Sequence, residues 1–429
     1  MSQTDVREPA SEIPLLTSPR DALPAVVDTP EALQACIDSL AAGHGPTAVD
    51  AERAQSFRYT ARGYLFQFRR AGSGTHLVDP VAFDTASGLC DLSGLAAAIN
   101  DDEWIIHAAT QDLPCLVEAG LVPDRLFDTE LTGRLLGLPR VGLGPLIEGT
   151  FQLRLLKEHS AANWSLRPIP QDWLVYAALD VELLVELRDN LLERLKAAGK
   201  LEWALQEFDA LVTGARTPSP QRPDRWRRTS GTHTVRTPLG LAVVRELWEA
   251  RDDIARSEDC APGRILIDQA ITDLANLVPR GHGAQVPTRS QLRAIDGFKR
   301  RNARRWENNW VDALDRVAAL PASALPPLRV TPDGPPNPRT WELKDPEAWA
   351  RWQRVRPATN ELASELELPV ENLISPDTLR RIAWRPPANL SPDTVDAALT
   401  ELGSRPWQRT LLAALLAELL APEAPTTAG

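Results

Sequence analysis

Near residue 213 the chain changes its hydrophobic period, and that change limits the folds open to it. Before it, the strand-like runs PTAVDAE, YLFQFRR, THLVDP and EWIIHAA are separated by stretches whose apolar residues recur three and four apart. Such alternation describes an α/β unit, a sheet with flanking helices. After it, segments such as LAVVRELWEARDDIARSED keep helical spacing, and no alternating run of similar strength returns. A length of 429 residues is enough for two or three units, each able to bury its own core.

Proline and glycine mark the boundaries. The expected division is a disordered N-terminus over 1–23, the α/β unit over 24–213, a basic turn-rich connector over 214–236 with Trp226 embedded, and a helical unit over 237–320. A proline-dense spacer or surface strap then covers 321–340, a second helical unit 341–420, and a disordered tail 421–429. The two helical segments have similar lengths, which suggests diverged copies.

Within the α/β unit the chemistry-bearing residues are Asp50 and Glu52, Asp112, and Tyr176 with Asp180. Side chains alternate along a strand, so Asp50 and Glu52 project to one side of PTAVDAE. In WLVYAALDVELLVEL the helical spacing sets Tyr176 one turn from Asp180 on the same face. EWIIHAATQDLPCL reads as a strand running into a helix, with Asp112 in its first turn. Carboxylates gathered this closely repel one another unless a positive charge lies between them, and a pair of divalent ions is the usual answer. Two ions about 3.5–4 Å apart suit in-line attack on a phosphodiester. A lone DxE or YxxxD is commonplace; it is the order DxE, HxxxQDL, YxxxD that is specific.

That order resembles the tyrosine branch of the DEDD superfamily of 3′–5′ exonucleases, and its surroundings resemble the ribonuclease D family. The surroundings are Tyr64 and Gln67 in YLFQFRR, His107 in HAATQDLPCL, and Trp164, Arg167 and Pro168 in NWSLRPIPQDWLVYAALDVELL. The histidine branch has His five residues before the last Asp, where this chain has Val175 followed by Tyr176. The resemblance implies a ribonuclease H-like α/β exonuclease domain, a mixed sheet flanked by helices, followed by two all-α helical bundles. The segment with Leu247, Trp248, Arg251, Pro262 and Gly263 resembles the helicase and ribonuclease D C-terminal (HRDC) domain, and LELPVENLISPDTLRRIAW is a fainter second match.

The implied chemistry is removal of 5′-mononucleotides from an RNA 3′ end with two divalent ions, Mg²⁺ or Mn²⁺. Asp50 would bridge both ions, Glu52 and Asp180 complete the first site, Asp112 hold the second, and Tyr176 orient the attacking water and help remove its proton. Structured RNAs with short single-stranded 3′ ends, tRNA precursors among them, are the implied substrates, and the helical domains would form a ring or funnel over the site. Where the family often has an aromatic residue after the acidic pair, this chain has Arg53, so Phe57 and Tyr59 are the candidates for base stacking. Asn163 stands where the family usually has an acid.

A net charge of −11 argues against general polyanion binding, so phosphate contacts must come from local clusters. Two occur beside tryptophans: Arg225, Arg227 and Arg228, and Lys299, Arg300, Arg301, Arg304 and Arg305. Cys36, Cys90, Cys115 and Cys260 lack zinc-site spacing and read as free thiols of a reducing cytoplasm. No apolar run is long enough to span a membrane, and neither GxxxxGK nor a GxGxxG after a strand offers a nucleotide cofactor site. The alternatives to an exoribonuclease are a DNA exonuclease of the same superfamily and a non-catalytic RNA-binding scaffold.

Overall fold

The computed structural model describes residues 13–422 apart from 87, 157, 158, 160, 218–222, 282–284 and 331–333. The strands are β1 (Leu15–Leu16), β2 (Val26–Val27), β3 (His44–Arg53), β4 (Gly63–Ala71), β5 (Gly74–Val78), β6 (Trp104–Ile106), β7 (Leu126–Asp128) and β8 (Arg154–Leu155). Their helices are α1 (Pro30–Ala42), α2 (Ser93–Ile99), α3 (Leu113–Glu118), α4 (Thr129–Leu135), α5 (Leu143–Phe151), α6 (Gln171–Glu182), α7 (Leu184–Ala197) and α8 (Leu201–Arg216). Six strands form one mixed sheet in the order β2-β5-β4-β3-β6-β7, with β4 antiparallel to both β3 and β5 and the other pairs parallel.

The sheet has two differently covered faces. On one, Val49 and Ala51 of β3 lie opposite Phe68 and Phe66 of β4 and belong to the large core that includes α1, α7 and α8. On the other, Asp50 and Glu52 lie opposite Gln67 and Leu65, and α6 covers this face through Ala177 and Ala178. Residues directly opposite in an antiparallel pair share a face, so the acidic pair is enclosed between sheet and helix.

The expected disorder of the N-terminus needs correction over its described part. Residues 1–12 and 423–429 lie outside the described residues, but β1 pairs in parallel with β8, and Arg20 Nε donates to buried Glu182 at 2.6 Å. The described part of the 214–236 connector also carries more regular structure than its composition suggests. Helix α8 runs into it as far as Arg216, and Trp226, 3% exposed, sits in the core of the next unit.

The helical part contains α9 (Pro238–Ser257), α10 (Pro262–Ile265), α11 (Asp268–Asn276), α12 (Arg289–Ala294), α13 (Asp296–Lys299), α14 (Arg301–Arg305) and α15 (Glu307–Ala319). It continues with α16 (Trp341–Lys344), α17 (Pro346–Glu365), α18 (Val370–Leu373), α19 (Pro376–Trp384), α20 (Pro392–Glu401) and α21 (Pro406–Leu420). Helices α9, α10 and α11 have the same lengths as α17, α18 and α19 and start at one constant spacing, 238 to 346, 262 to 370 and 268 to 376. At that spacing Leu247, Ile265, Leu266, Ile271 and Leu274 correspond to Val355, Leu373, Ile374, Leu379 and Ile382, and all ten are buried. Even the left-handed residues coincide: Asp259 at φ 43° and Glu367 at φ 50°.

These equivalent turns both dock on the α/β unit. Asp259 accepts from Arg58 and from the Tyr59 amide, each at 3.3 Å. The Leu366 and Glu367 carbonyls accept from Lys200 Nζ at 2.6 and 3.3 Å, and Lys200 also donates to Leu135 O at 2.7 Å. Gly137, at φ +67°, lets the Glu367 turn approach, because an added Cβ would collide with the Glu367 carbonyl. The two copies differ in their cores. Residues of 226–317 form a core of their own, whereas those of 341–420 join the core of the α/β unit, with Trp407 stacked on Trp203 at 4.8 Å.

Candidate active site

Strand β3 and helix α6 bring Asp50, Glu52 and Asp180 together, with one carboxylate oxygen from each within 4.8 Å of the others. Glu52 is 7% exposed. Asp112 is the N-cap of α3, one residue before the first turn in which the sequence suggested it, and is 5% exposed. It stands outside the three-carboxylate group, and its Oδ1 lies 3.4 Å from Arg53 Nη2. Tyr176 donates its phenol proton to Asp180 and packs near Trp164, ring centroids 6.4 Å apart.

Burial dominates the electrostatics. It pushes Asp50 up to about 6, opposed by the Ala51 amide and by Arg53. Glu52 is raised well above the usual range by burial and then by Asp50, Asp180 and Asp112. Asp112 rises to about 8 through burial and Asp50, and Asp180 is raised by burial and then by Asp50. The Tyr176 phenol is also raised, by burial and then by Asp180, so it stays protonated at neutral pH. Four carboxyls in this state ionise together only when a counter-charge joins them. Their donors are all hard oxygens, the set that suits Mg²⁺ or Mn²⁺ rather than a softer ion.

The supporting residues are less visible in sequence. Asp128 caps α4 by accepting from the Glu130 and Leu131 amides, and it also accepts from the Ala108 and Ala109 amides at 3.1 and 2.8 Å. It thereby fixes the turn, with Ala108 at φ 57°, that carries the chain from β6 to Asp112. The only hint is the capping pattern in FDTEL. His107 Nδ1 meets Thr129 Oγ1 at 2.9 Å, and burial lowers its pKa to about 4, so it orders this turn as a neutral ring. Arg167 grips Asp79 through two bonds of 2.5 and 2.6 Å and donates to the Tyr64 carbonyl, tying the segment before α6 to the sheet.

The expected RNA contacts divide. Phe57 lines a cleft of about 190 Å³ with Glu52, Arg53, Gln55, Ser56 and Ala162, but its ring already carries the Arg264 guanidinium at 4.2 Å. Tyr59 is corrected from base stacker to interface residue. Its hydroxyl donates to Asp252 at 2.9 Å, and Arg256 lies over its ring. Arg300 and Arg301 share a groove with Arg264, close to Phe57, and Lys299 pairs with Asp296 at 2.7 Å. Arg228 is exposed, while Arg227 donates to Asp224 and Pro327 O and covers buried Trp226 at 4.3 Å. Trp226 is therefore a core residue and not a stacking platform. Of the two helical units, the first borders the cleft, through Ala261 N to Phe57 O at 3.1 Å and Arg264 Nε to Ser56 O at 2.7 Å.

Comparison with known proteins agrees with this architecture. Residues 24–196 match the family described as 3′-5′ exonuclease, residues 240–314 the HRDC domain, and residues 334–420 the family described as 3′ to 5′ exonuclease C-terminal domain. Ribonuclease D of Gluconacetobacter diazotrophicus is 29% identical over 264 residues, covering 60% of this chain and 65% of that protein. Ribonuclease D of Acidiphilium cryptum is 28% identical over 320 residues, covering 74% of this chain and 78% of that protein. A crystal structure of a protein from Bifidobacterium adolescentis is 37% identical with a TM-score of 0.85, over 95% of this chain and all of that one. Escherichia coli RNase D, described as an exoribonuclease involved in structured RNA processing, shares the fold at 22% identity, with a TM-score of 0.65 over 92% of this chain and 98% of that one. With the 3′-5′ exonuclease, HRDC and exonuclease C-terminal domains matched in chain order and the fold shared, the chain belongs to the ribonuclease D family of 3′–5′ exonucleases.

Proposed function

We propose that the protein is a metal-dependent 3′–5′ exoribonuclease of the cytoplasm that releases 5′-mononucleotides from RNAs with a single-stranded 3′ end, tRNA precursors among them. The observation that carries this reading is the convergence of three carboxylates from β3 and α6 within 4.8 Å, beside a tyrosine hydrogen-bonded to one of them. Asp50, Glu52 and Asp180 would hold one divalent ion, and Asp50 with Asp112 a second. Bound there, the ions would supply the positive charge that makes water nucleophilic at neutral pH and stabilises the leaving oxygen.

The chain's own groups supply position. Asp180 accepts a hydrogen bond from Tyr176, which leaves the phenol oxygen's lone pairs to accept from a water. In the metal-free protein burial and Asp180 keep the phenol protonated, and from that position Tyr176 would orient the water. Asp128 and Thr129 keep the β6–α3 turn, and with it Asp112, in place. Glu52 and Asp112 are buried, whereas Asp50 and Asp180 remain partly open to solvent, so water reaches the site beside a largely enclosed acidic floor.

The test is a 5′-labelled RNA with a short single-stranded 3′ tail, incubated with Mg²⁺ or Mn²⁺. A ladder shortening from the 3′ end, lost with chelator and with Asp180→Ala and reduced about 10–1,000-fold by Tyr176→Phe, supports the reading. Asp180→Ala protein that still cleaves at the wild-type rate removes it. The acidic residues do not distinguish ribose from deoxyribose, so a matched DNA strand belongs in the same experiment.

A further inference from the structure

The reaction proposed above assigns no task to Arg53, although its charge acts on Asp50, Glu52 and Asp112. Strict alternation along β3 would send Arg53 to the face opposite Glu52. The register between β3 and β4 shifts between Glu52 and Arg53, however, and this irregularity re-aims the side chain towards the carboxylates. Its Nη2 stops 3.4 Å from Asp112 Oδ1, with 22% of the side chain still exposed. Arg53 also lines the cleft beside Gln55, Ser56 and Phe57.

The two halves of the site are therefore built differently. Asp50, Glu52 and Asp180 converge as a ready donor set, whereas Asp112 stands apart with a guanidinium against its Oδ1, one of the two oxygens it could offer a second ion. Two cations cannot share that oxygen closely without strong repulsion. The Arg53 contact is single and long, and a phosphate offers a guanidinium a shorter, two-pronged alternative.

We propose, resting on the metal-site reading above, that Arg53 is a latch on the second ion position. With the cleft empty its guanidinium stands against Asp112 and holds the second ion off. When a nucleotide phosphate enters, Arg53 transfers to it and frees Asp112, so the second ion is admitted only together with substrate. Arg53 is in this sense a positioning residue that couples loading of the site to occupation of the cleft.

The test is calorimetric titration of the full chain with Mn²⁺, without RNA, and then with AMP as the phosphate-bearing probe. Wild type is expected to bind one ion tightly and to gain a second with AMP. Arg53→Gln is expected to bind the second ion at least tenfold more tightly without AMP, and Arg53→Met to reproduce this. Arg53→Lys, which keeps the charge but not the two-pronged grip, is expected to hold the second ion off as wild type does without AMP and to gain it less readily with AMP. An unchanged second-site affinity in both neutral variants, with the first site intact, overturns the latch while leaving the metal site standing, and so does a wild-type second site indifferent to AMP. If no form binds Mn²⁺, the metal-site reading fails and the latch with it.

Discussion

Neutralising Asp50 is expected to destroy activity and yet stabilise the metal-free protein. Asp50 contributes to raising Glu52, Asp112 and Asp180, so it is the centre of the repulsion. Its own carboxyl moves from an ordinary 3.8 to about 6 on folding, chiefly through burial. At a pH above both values, that shift means that ionised Asp50 costs the folded state about 3 kcal/mol. The sign follows from the raised folded value: the folded protein holds this proton more tightly, so the contribution of Asp50 to stability is fully present below about pH 4 and is lost as pH rises through about 6. Asp50→Asn removes the charge and keeps the shape. Without metal at pH 8, the variant is expected to unfold about 2–3 kcal/mol less readily, a rise of several degrees in melting temperature for a unit of this size. Near pH 4.5 the gain should shrink, because the wild-type group is then largely protonated. The assay is thermal unfolding with excess chelator at both pH values, beside the RNA ladder assay. An Asn variant that is less stable at pH 8, or a gain undiminished at pH 4.5, refutes the argument that burial and mutual repulsion strain this site.

Three further outcomes follow from the supporting structure. Lys200→Met removes the ammonium that binds three carbonyls across the joint between the α/β unit and the second helical unit, and should lower stability by about 2–3 kcal/mol in denaturant unfolding. Asp128→Ala strips four amides of their acceptor and should cost about 2 kcal/mol in the same measurement, with a loss of turnover that added metal does not restore. Tyr59→Phe breaks the bond to Asp252 and should weaken docking of the first helical unit by about 1 kcal/mol, seen as faster proteolysis between the units, while RNA affinity changes less than twofold; a large affinity loss would restore Tyr59 as a base contact.

The long strands β3 and β4 were legible because their apolar patterns are strong, and α6 because its apolar spacing is helical. The two-residue strands β1, β2 and β8 are too short to carry a period and exist only through their partners. Tyr59 misled because an aromatic beside basic residues looks the same whether it awaits a base or fills an interface. The correspondence of 238–276 with 346–384 shows in sequence only as similar lengths, because buried positions tolerate exchanges such as Leu247 for Val355 that keep the apolar character and little else.

By itself the sequence determined the acidic residues, their order and the side of strand or helix on which each would stand, because strand and helix periods are local properties of the backbone. It also determined where the α/β unit gives way to helices. Only the tertiary structure decided that Asp50, Glu52 and Asp180 converge while Asp112 faces Arg53, because separations of that kind depend on how a strand irregularity and a helix cap are set against each other. Only it decided that equivalent turns at Asp259 and Glu367 dock on different parts of the α/β unit, one beside the cleft and one into the shared core. Those choices rest on contacts between residues distant in the sequence, and no local period records them.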